Sequence, residues 1–272
     1  MPQINVPFNL LETTLLNVPG ASHTTATGIN DHGQIVGHFT DTKGEHGFLY
    51  KAGSFSQPID YPGAVATYIL GINNYGQIVG QFQDLHGTYG FLYNTGICSP
   101  RLIYPGAVAT FANDINDRGE IVGVFQDSQG KNHGFLYNAG EYRLLNVPSG
   151  KETTASGINN GGQIVGTSAD KNGTHGFVYL ENAGVFSSPL HYPGAHVTHP
   201  EGLNNRGQIV GIFSAVNGND QAFLYLAGVA IQLNIPGAVS AGALDINDQG
   251  QIVGNFRDGK RVLHAYCGVA LL

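Results

Sequence analysis

Asn30-Asp31-His32-Gly33-Gln34-Ile35-Val36-Gly37 returns as Asn73-Asn74-Tyr75-Gly76-Gln77-Ile78-Val79-Gly80, and the same frame opens again at Asn116, Asn159, Asn204 and Asn247. The glycines Gly33, Gly76, Gly119, Gly162, Gly207 and Gly250 are spaced 43, 43, 43, 45 and 43 residues apart. A fixed period of this length marks a chain built from one repeated supersecondary unit. Six such units account for nearly all of the 272 residues and leave residues 1–12 as an N-terminal extension before a single domain over 13–272.

Each unit reads as four short strands. In the second, Tyr61-Pro62-Gly63-Ala64 leads into an apolar run to Ile72, and Asn73 to Gly76 forms a turn. Gln77 to Phe82 follows, then a polar loop, Tyr89 to Tyr93, and a turn at Asn94-Thr95-Gly96. Turn signals fall about every ten residues, and no stretch has helical i, i+3, i+4 periodicity with caps. Four strands in about 43 residues is the spacing of a propeller blade. A β-solenoid is the alternative, but its rung is usually shorter. The expected fold is therefore an all-β, six-bladed β-propeller. Thr13 to Pro19 matches the strand before each Pro-Gly, most closely Leu144 to Pro148. It is expected to supply the outer strand of the last blade and close the ring, which leaves no free edge.

The Asn-x-x-Gly turn has a local explanation. Asn hydrogen-bonds backbone two residues on, and Gly accepts positive φ. Its presence in all six units marks it as scaffold. The loops Asp41-x-x-Gly44, Asp84-x-x-Gly87, Asp127-x-x-Gly130 and Asp170-x-x-Gly173 are read as turns, since each lacks the several carboxylates that calcium prefers. His46, His133, His175 and His264 recur at one position and are expected to bond backbone. Tyr61, Tyr104 and Tyr192, before Pro-Gly, are read as packing groups.

Composition narrows the function. Glycine, at 40 residues, is about twice its usual share, and the 11% of charged residues is under half of theirs. Twelve Lys and Arg against 19 Asp and Glu give no basic footprint for nucleic acid. No apolar run reaches the 18 residues of a membrane span. Met1 to Pro7 carries no basic n-region or apolar h-region, so the expected location is cytoplasmic, with an extracellular one the alternative if a leader has been removed. Cys98 and Cys267 lie in units two and six, at similar repeat positions, and are read as free core thiols. No nucleophile elbow, P-loop, dinucleotide fingerprint or HExxH motif occurs. No cofactor and no metal site are expected.

The third strand reads His46-Gly47-Phe48, Tyr89-Gly90-Phe91, His133-Gly134-Phe135, His175-Gly176-Phe177, Gln221-Ala222-Phe223 and His264-Ala265-Tyr266. With the Asn-x-x-Gly-x-Ile-Val-Gly frame, this resembles the HAF-type extracellular repeat, named for its His-Ala-Phe strand. Only the sixth unit keeps His-Ala, and Gly replaces Ala in four. The resemblance covers all six units. It implies a propeller-like β-fold and an exported protein, and it implies no activity.

A second symmetry pairs unit 1 with 4, 2 with 5 and 3 with 6. Units 3 and 6 alone replace Gly by Asp before Ile-Asn, at Asp114 and Asp245. Differences among the copies point to candidate sites, because positions two apart on a strand share a face. Near the start of the first strand the units carry Thr25, Tyr68, Phe111, Thr154, His199 and Gly242, and two residues on Thr27, Leu70, Asn113, Ser156, Glu201 and Leu244. Unit 5 stands apart, with His191, His196, His199 and Glu201 within eleven residues. The expected ligand-binding set is Tyr68, Phe111, Asn113, Asp114, His196, Asp245 and His23, converging on an axial cavity. The expected partner is a neutral small molecule or glycan, held there or in the blade clefts. The alternative is a cofactor-independent lyase, isomerase or cyclase in which Glu201 and His199 move protons. A third reading is a protein-interaction scaffold. The spacing of His196, His199 and Glu201 matches no familiar zinc motif.

Overall fold

The computed structural model describes residues 8–148, 150–171, 173–187, 189–215 and 218–270, and every regular element among them is a strand. The six inner strands are His23–Ile29, Ala66–Ile72, Ala109–Ile115, Glu152–Ile158, Val197–Leu203 and Ala238–Ile246. Each pairs antiparallel with a second strand carrying Ile-Val-Gly, which pairs with a third carrying the aromatic residue of the His-Gly-Phe position. The fourth strand is short. In units 1, 2 and 4 it has two residues, Ser54–Phe55, Ile97–Cys98 and Val185–Phe186, extended by bridges such as Gly47 to Ile59. Units 2 and 3 join in one eight-stranded sheet through a parallel pairing of Ala109 with Thr88.

The N-terminal segment does supply an outer strand. Leu11–Leu15 pairs antiparallel with Leu263–Val269, placing Thr14 opposite Cys267 and Leu15 opposite Tyr266. Pairing starts earlier than the expected boundary at residue 13. Phe8–Asn9 also runs parallel to Val229–Asn234 and adds a fifth strand to the sheet of unit 5. Residues 1–7 of the expected extension lie outside the described residues.

The Ile-Val-Gly tripeptide explains the packing. Adjacent strand residues point to opposite faces, so the Ile and the Val enter different cores. Val36 of unit 1 packs with Ile69, Ile72, Ile78 and Phe91 of unit 2. Val79, Val122, Val165 and Val210 reach the following unit in the same way. Val253 of unit 6 packs with Ala26, Ile29 and Ile35 of unit 1. Each core is thus shared by consecutive units, so no unit buries its apolar face alone.

Tyr61, Tyr104 and Tyr192 pack as expected. They stack on Phe82, Phe125 and Phe213 with ring centroids 3.6, 3.7 and 3.6 Å apart. The recurring histidines correct the expectation of backbone bonding. His133 Nε2 meets Asp127 at 2.8 Å, His264 meets Asp258 at 3.3 Å and His175 meets Asp170 at 3.2 Å, while His46 Nδ1 meets Asp60 at 2.9 Å. Asp127, Asp170 and Asp258 stand at the head of the hairpin between the second and third strands. Asp127 Oδ1 also accepts the Gln129 N–H at 2.9 Å, so these loops are turns tied to the next strand by the imidazole. Cys98 and Cys267 form no disulfide. They fall in the fourth and third strands of their units and so are not equivalent positions.

Candidate functional site at the inner strands

Each inner strand carries a β-bulge at one repeat position. Register against the second strand jumps between Ala26 and Gly28, Ile69 and Gly71, Ala112 and Asp114, Ala155 and Gly157, Pro200 and Gly202, and Ala243 and Asp245. The residues left without a partner are Thr27, Leu70, Asn113, Ser156, Glu201 and Leu244. A bulge takes a residue out of the ladder and re-aims its side chain. Here all six, with Thr154, line one cavity of about 220 Å³. Its wall combines two leucines with hydroxyl, amide and carboxyl groups. Thr27 Oγ1 donates to the Ile69 carbonyl at 2.9 Å, and Asn113 Nδ2 donates to the Ala155 carbonyl at 2.8 Å, so both polar chains are fixed by the following unit.

Among the described residues of this wall, Glu201 is the one ionisable group. Burial pushes its carboxyl up to about 7, against a hydrogen bond from Ser156 that favours the charged form. It therefore titrates near neutrality and is able to donate or accept a proton there.

Below the bulges the inner strands come close. A Cβ on Gly71 would lie 2.7 Å from Asp114 Oδ1, and one on Gly202 would lie 2.6 Å from Asp245 Oδ1. The two aspartates occupy matching places three units apart. Asp114 Oδ2 accepts the Ile158 N–H and Asp245 Oδ2 accepts the Ile29 N–H, both at 2.8 Å, while each Oδ1 accepts the N–H of the next residue. Burial raises both carboxyls, and for Asp245 the charge of Asp114 adds to the rise. Both line a second cavity of about 60 Å³ at the Asn-x-x-Gly end.

That end is tied by two circuits of hydrogen bonds. Asn30 Nδ2 donates to the Asn73 carbonyl, Asn73 to Asn116, Asn116 to Asn159, Asn159 to Asn204, Asn204 to Asn247 and Asn247 back to Asn30, at 3.0–3.2 Å. The next residues form the second circuit. Asp31 N–H reaches Asn74 Oδ1, and the pattern runs through Asp117, Asn160, Asn205 and Asp248 back to Asp31, each bond 2.8 Å. The asparagines also make the expected local turn, as when Asn73 Oδ1 accepts the N–H groups of Tyr75 and Gln77.

The residues picked out in the sequence divide by depth. Asn113 and Glu201 line the larger cavity, and Asp114 and Asp245 the smaller. Tyr68, Phe111 and His199 sit two residues earlier on their strands and are not part of either wall. Tyr68 packs edge-on to His38, with centroids 5.2 Å apart. His199 is held below its ordinary pKa by burial, partly offset by Asp220, and Glu201 takes its hydrogen bond from Ser156 instead. The two are thus neighbours on one strand without being a proton-transfer pair. His196 and His23 are exposed, the latter beside Ser22 Oγ at 3.2 Å. Thr27, Leu70, Thr154, Ser156 and Leu244 complete the wall and were absent from the expected set. For four of them the signal was a shared repeat position, which outweighs their individual chemistry; Thr154 stands two residues earlier, at the position of Tyr68 and His199. Among the described residues no group of three or more His, Cys, Asp or Glu is placed to hold a metal ion. Among the described residues no helix is long and apolar enough to cross a membrane.

Comparison with known proteins places the fold. No family model matches the chain, and no curated protein matches it in sequence. Solved propeller structures do. TolB from Acinetobacter baumannii superposes with a TM-score of 0.60 at 12% identity, over 88% of this chain and 64% of its own, so the chain spans under two thirds of that protein. XC5397 from Xanthomonas campestris, described as a gluconolactonase, gives 0.59 at 10% identity over 98% and 99% of the two chains. The Aleuria aurantia lectin, solved with Fucα1-6GlcNAc, gives 0.54 at 12% identity over 93% of each. At these identities the likeness shows an all-β propeller fold and nothing of activity.

Proposed function

We propose that the chain is a closed six-bladed propeller that binds a neutral small molecule or a single sugar unit in the cavity walled by the bulged residues. Closure is supported by the asparagine circuit that returns from Asn247 to Asn30 and by the packing of Val253 into the core of unit 1. The units are read as HAF-type repeats, on the His-Gly-Phe and His-Ala-Tyr third strands and the Asn-x-x-Gly turns.

The observation that carries the binding reading is the delivery of one bulged side chain from every unit to a single concave wall. A volume of about 220 Å³ is below the ~300–1,000 Å³ of drug-sized sites. It suits one ring better than an oligosaccharide. Leucines supply apolar faces, and Thr27, Asn113, Ser156 and Glu201 supply hydrogen bonds, a mixture that matches a sugar's apolar and hydroxyl faces. The sugar-bound lectin and the gluconolactonase of similar fold are consistent with such a ligand. A panel of monosaccharides and sugar lactones, titrated by calorimetry, tests the reading. One site per chain is expected, with binding weakened at least about tenfold in Leu244→Phe, which fills the wall. Several equivalent sites per chain, or affinity unchanged in that variant, would move the ligand elsewhere.

The near-neutral carboxyl of Glu201 favours a second reading, proton-transfer catalysis on the bound ring. Here Glu201 acts alone as acid or base, since His199 does not pair with it. Turnover lost in Glu201→Gln with binding retained would establish it.

A further inference from the structure

Unit 4 lacks both rings of a pair that units 2, 3 and 5 keep. The residue before Pro and the residue 21 further on form the stacked pairs Tyr61–Phe82, Tyr104–Phe125 and Tyr192–Phe213. Units 1 and 6 keep the phenylalanine, as Phe39 and Phe256, with Val18 and Ile235 at the tyrosine's repeat position. In unit 4 both rings are gone, and Val147 and Ser168, which stand in their places, line the same cavity. The neighbourhood has not closed over the loss. A cavity of about 320 Å³ remains, walled by Val147, Pro148, Ser168, His175, Phe177 and Phe186 among others.

The siblings show what the space is shaped for. In unit 3 the Phe125 ring lies between Tyr104 at 3.7 Å and the His133 imidazole at 5.1 Å, both nearly parallel to it. His175 keeps the place of His133, with Nε2 3.2 Å from Asp170 Oδ1, but has no phenylalanine to cover it. Its Nδ1 is buried and, among the described residues, has no hydrogen-bond partner. His46 Nδ1 meets Asp60 and His133 Nδ1 meets Asn146, whereas the matching residue in unit 4 is His191, whose ring stands edge-on at 4.6 Å. The wall is thus a missing stack of rings with an unused nitrogen acceptor or donor at its margin. Apolar cavities of about 150 Å³ already take up benzene.

We propose that this cleft is a second binding site, separate from the bulge-lined cavity, for a small phenolic compound of one or two fused rings. Its ring takes the place that the tyrosine and phenylalanine rings fill in units 2, 3 and 5. Its hydroxyl supplies the partner that His175 lacks. The three sibling clefts are filled from within by tyrosine, itself a phenol, which is the chemistry this space already accepts elsewhere in the fold.

The test uses 2-naphthol as the probe, titrated into the full chain and followed by its fluorescence and by calorimetry. Saturable binding at one site per chain is expected. Ser168→Phe restores half of the stack and should abolish that binding while raising Tm. Val147→Tyr approaches from the other wall and should weaken it at least about tenfold, which decides the matter if Ser168→Phe does not fold. Leu244→Phe, in the bulge-lined cavity, should leave it unchanged. 2-Methoxynaphthalene, which has no hydroxyl to donate, should bind about tenfold more weakly. The site is overturned if the parent shows no saturable binding, if the Ser168 and Val147 variants bind like the parent, or if Leu244→Phe removes binding. Equal affinity for the methoxy compound would overturn the phenolic assignment.

Discussion

A single carboxyl decides the electrostatics of the bulge-lined cavity. Glu201 has an ordinary pKa near 4.5 and is raised to about 7 by burial. Below pH 4.5 it is neutral in both folded and unfolded chains and costs nothing. Between pH 4.5 and 7 the unfolded chain has released the proton and the folded one retains it, so stability falls as pH rises. Above 7 the loss is complete and, at about 1.4 kcal/mol per pKa unit, amounts to at most about 3.5 kcal/mol. Glu201→Gln should therefore be more stable than the parent at pH 8 and equal to it near pH 4, by urea unfolding. Part of the slope should remain, because Asp114 and Asp245 shift in the same direction. The opposite outcome is expected at Asn73, which holds Tyr75 N–H, Gln77 N–H and the Asn116 carbonyl. Asn73→Ala strands the buried Asn116 carbonyl, at about 1–3 kcal/mol, and two part-buried N–H groups that water reaches in part. A loss of at least about 2 kcal/mol is expected in the same unfolding experiment.

The element that makes the site is the bulged inner strand, and its partner strand is matched to it. A Cβ on Gly80, the glycine of Ile-Val-Gly, would lie 2.0 Å from the Tyr68 carbonyl oxygen. The same glycine in the other units meets the inner strand at 1.9–2.1 Å. No side chain fits, so the two strands approach at this point only because the position is glycine. Gly80→Ala should cost more than about 4 kcal/mol or prevent folding. Gly53→Ala is the contrast, because its φ of 82° lies in an open hairpin turn with nothing near the added methyl. Only the ~1–2 kcal/mol of a left-handed L-residue is expected there. Thermal melts of the two variants side by side check the difference.

For the whole molecule, the two ends of the chain meet in one sheet. Leu11–Leu15 covers the edge of Leu263–Val269, and Leu16, almost fully buried, packs with Ala26, Val253 and Ala265. Removing residues 1–16 should uncover that edge and the core behind it, lower Tm sharply and promote association through the free strand. Thermal melting with light scattering tests this. An unchanged Tm with no added scattering would mean that the fold holds without its N-terminal strand.

The period of 43 residues, the four-strand pattern and the Asn-x-x-Gly turns were legible in the chain because they are local. Turn chemistry and strand alternation act over a few residues, and six copies repeat the message. The N-terminal strand was legible too, since Thr13 to Pro19 repeats a pattern found elsewhere. The sequence did not show that each Asn reaches the carbonyl of the next unit, because that bond spans about 43 residues and exists only when the units are side by side. Nor did it show the bulges. A bulge leaves no mark in composition, yet it decides that Leu70 and Glu201 face one cavity while Tyr68 and His199 do not. The carboxyl chemistry was visible as residue types at Glu201, Asp114 and Asp245. Their raised pKa values were not, because burial is a property of the packed units together. The sequence alone determined the kind of unit and its number. The tertiary structure decided which side chains meet, because the packing of one unit against the next sets both the distances between side chains and their removal from water.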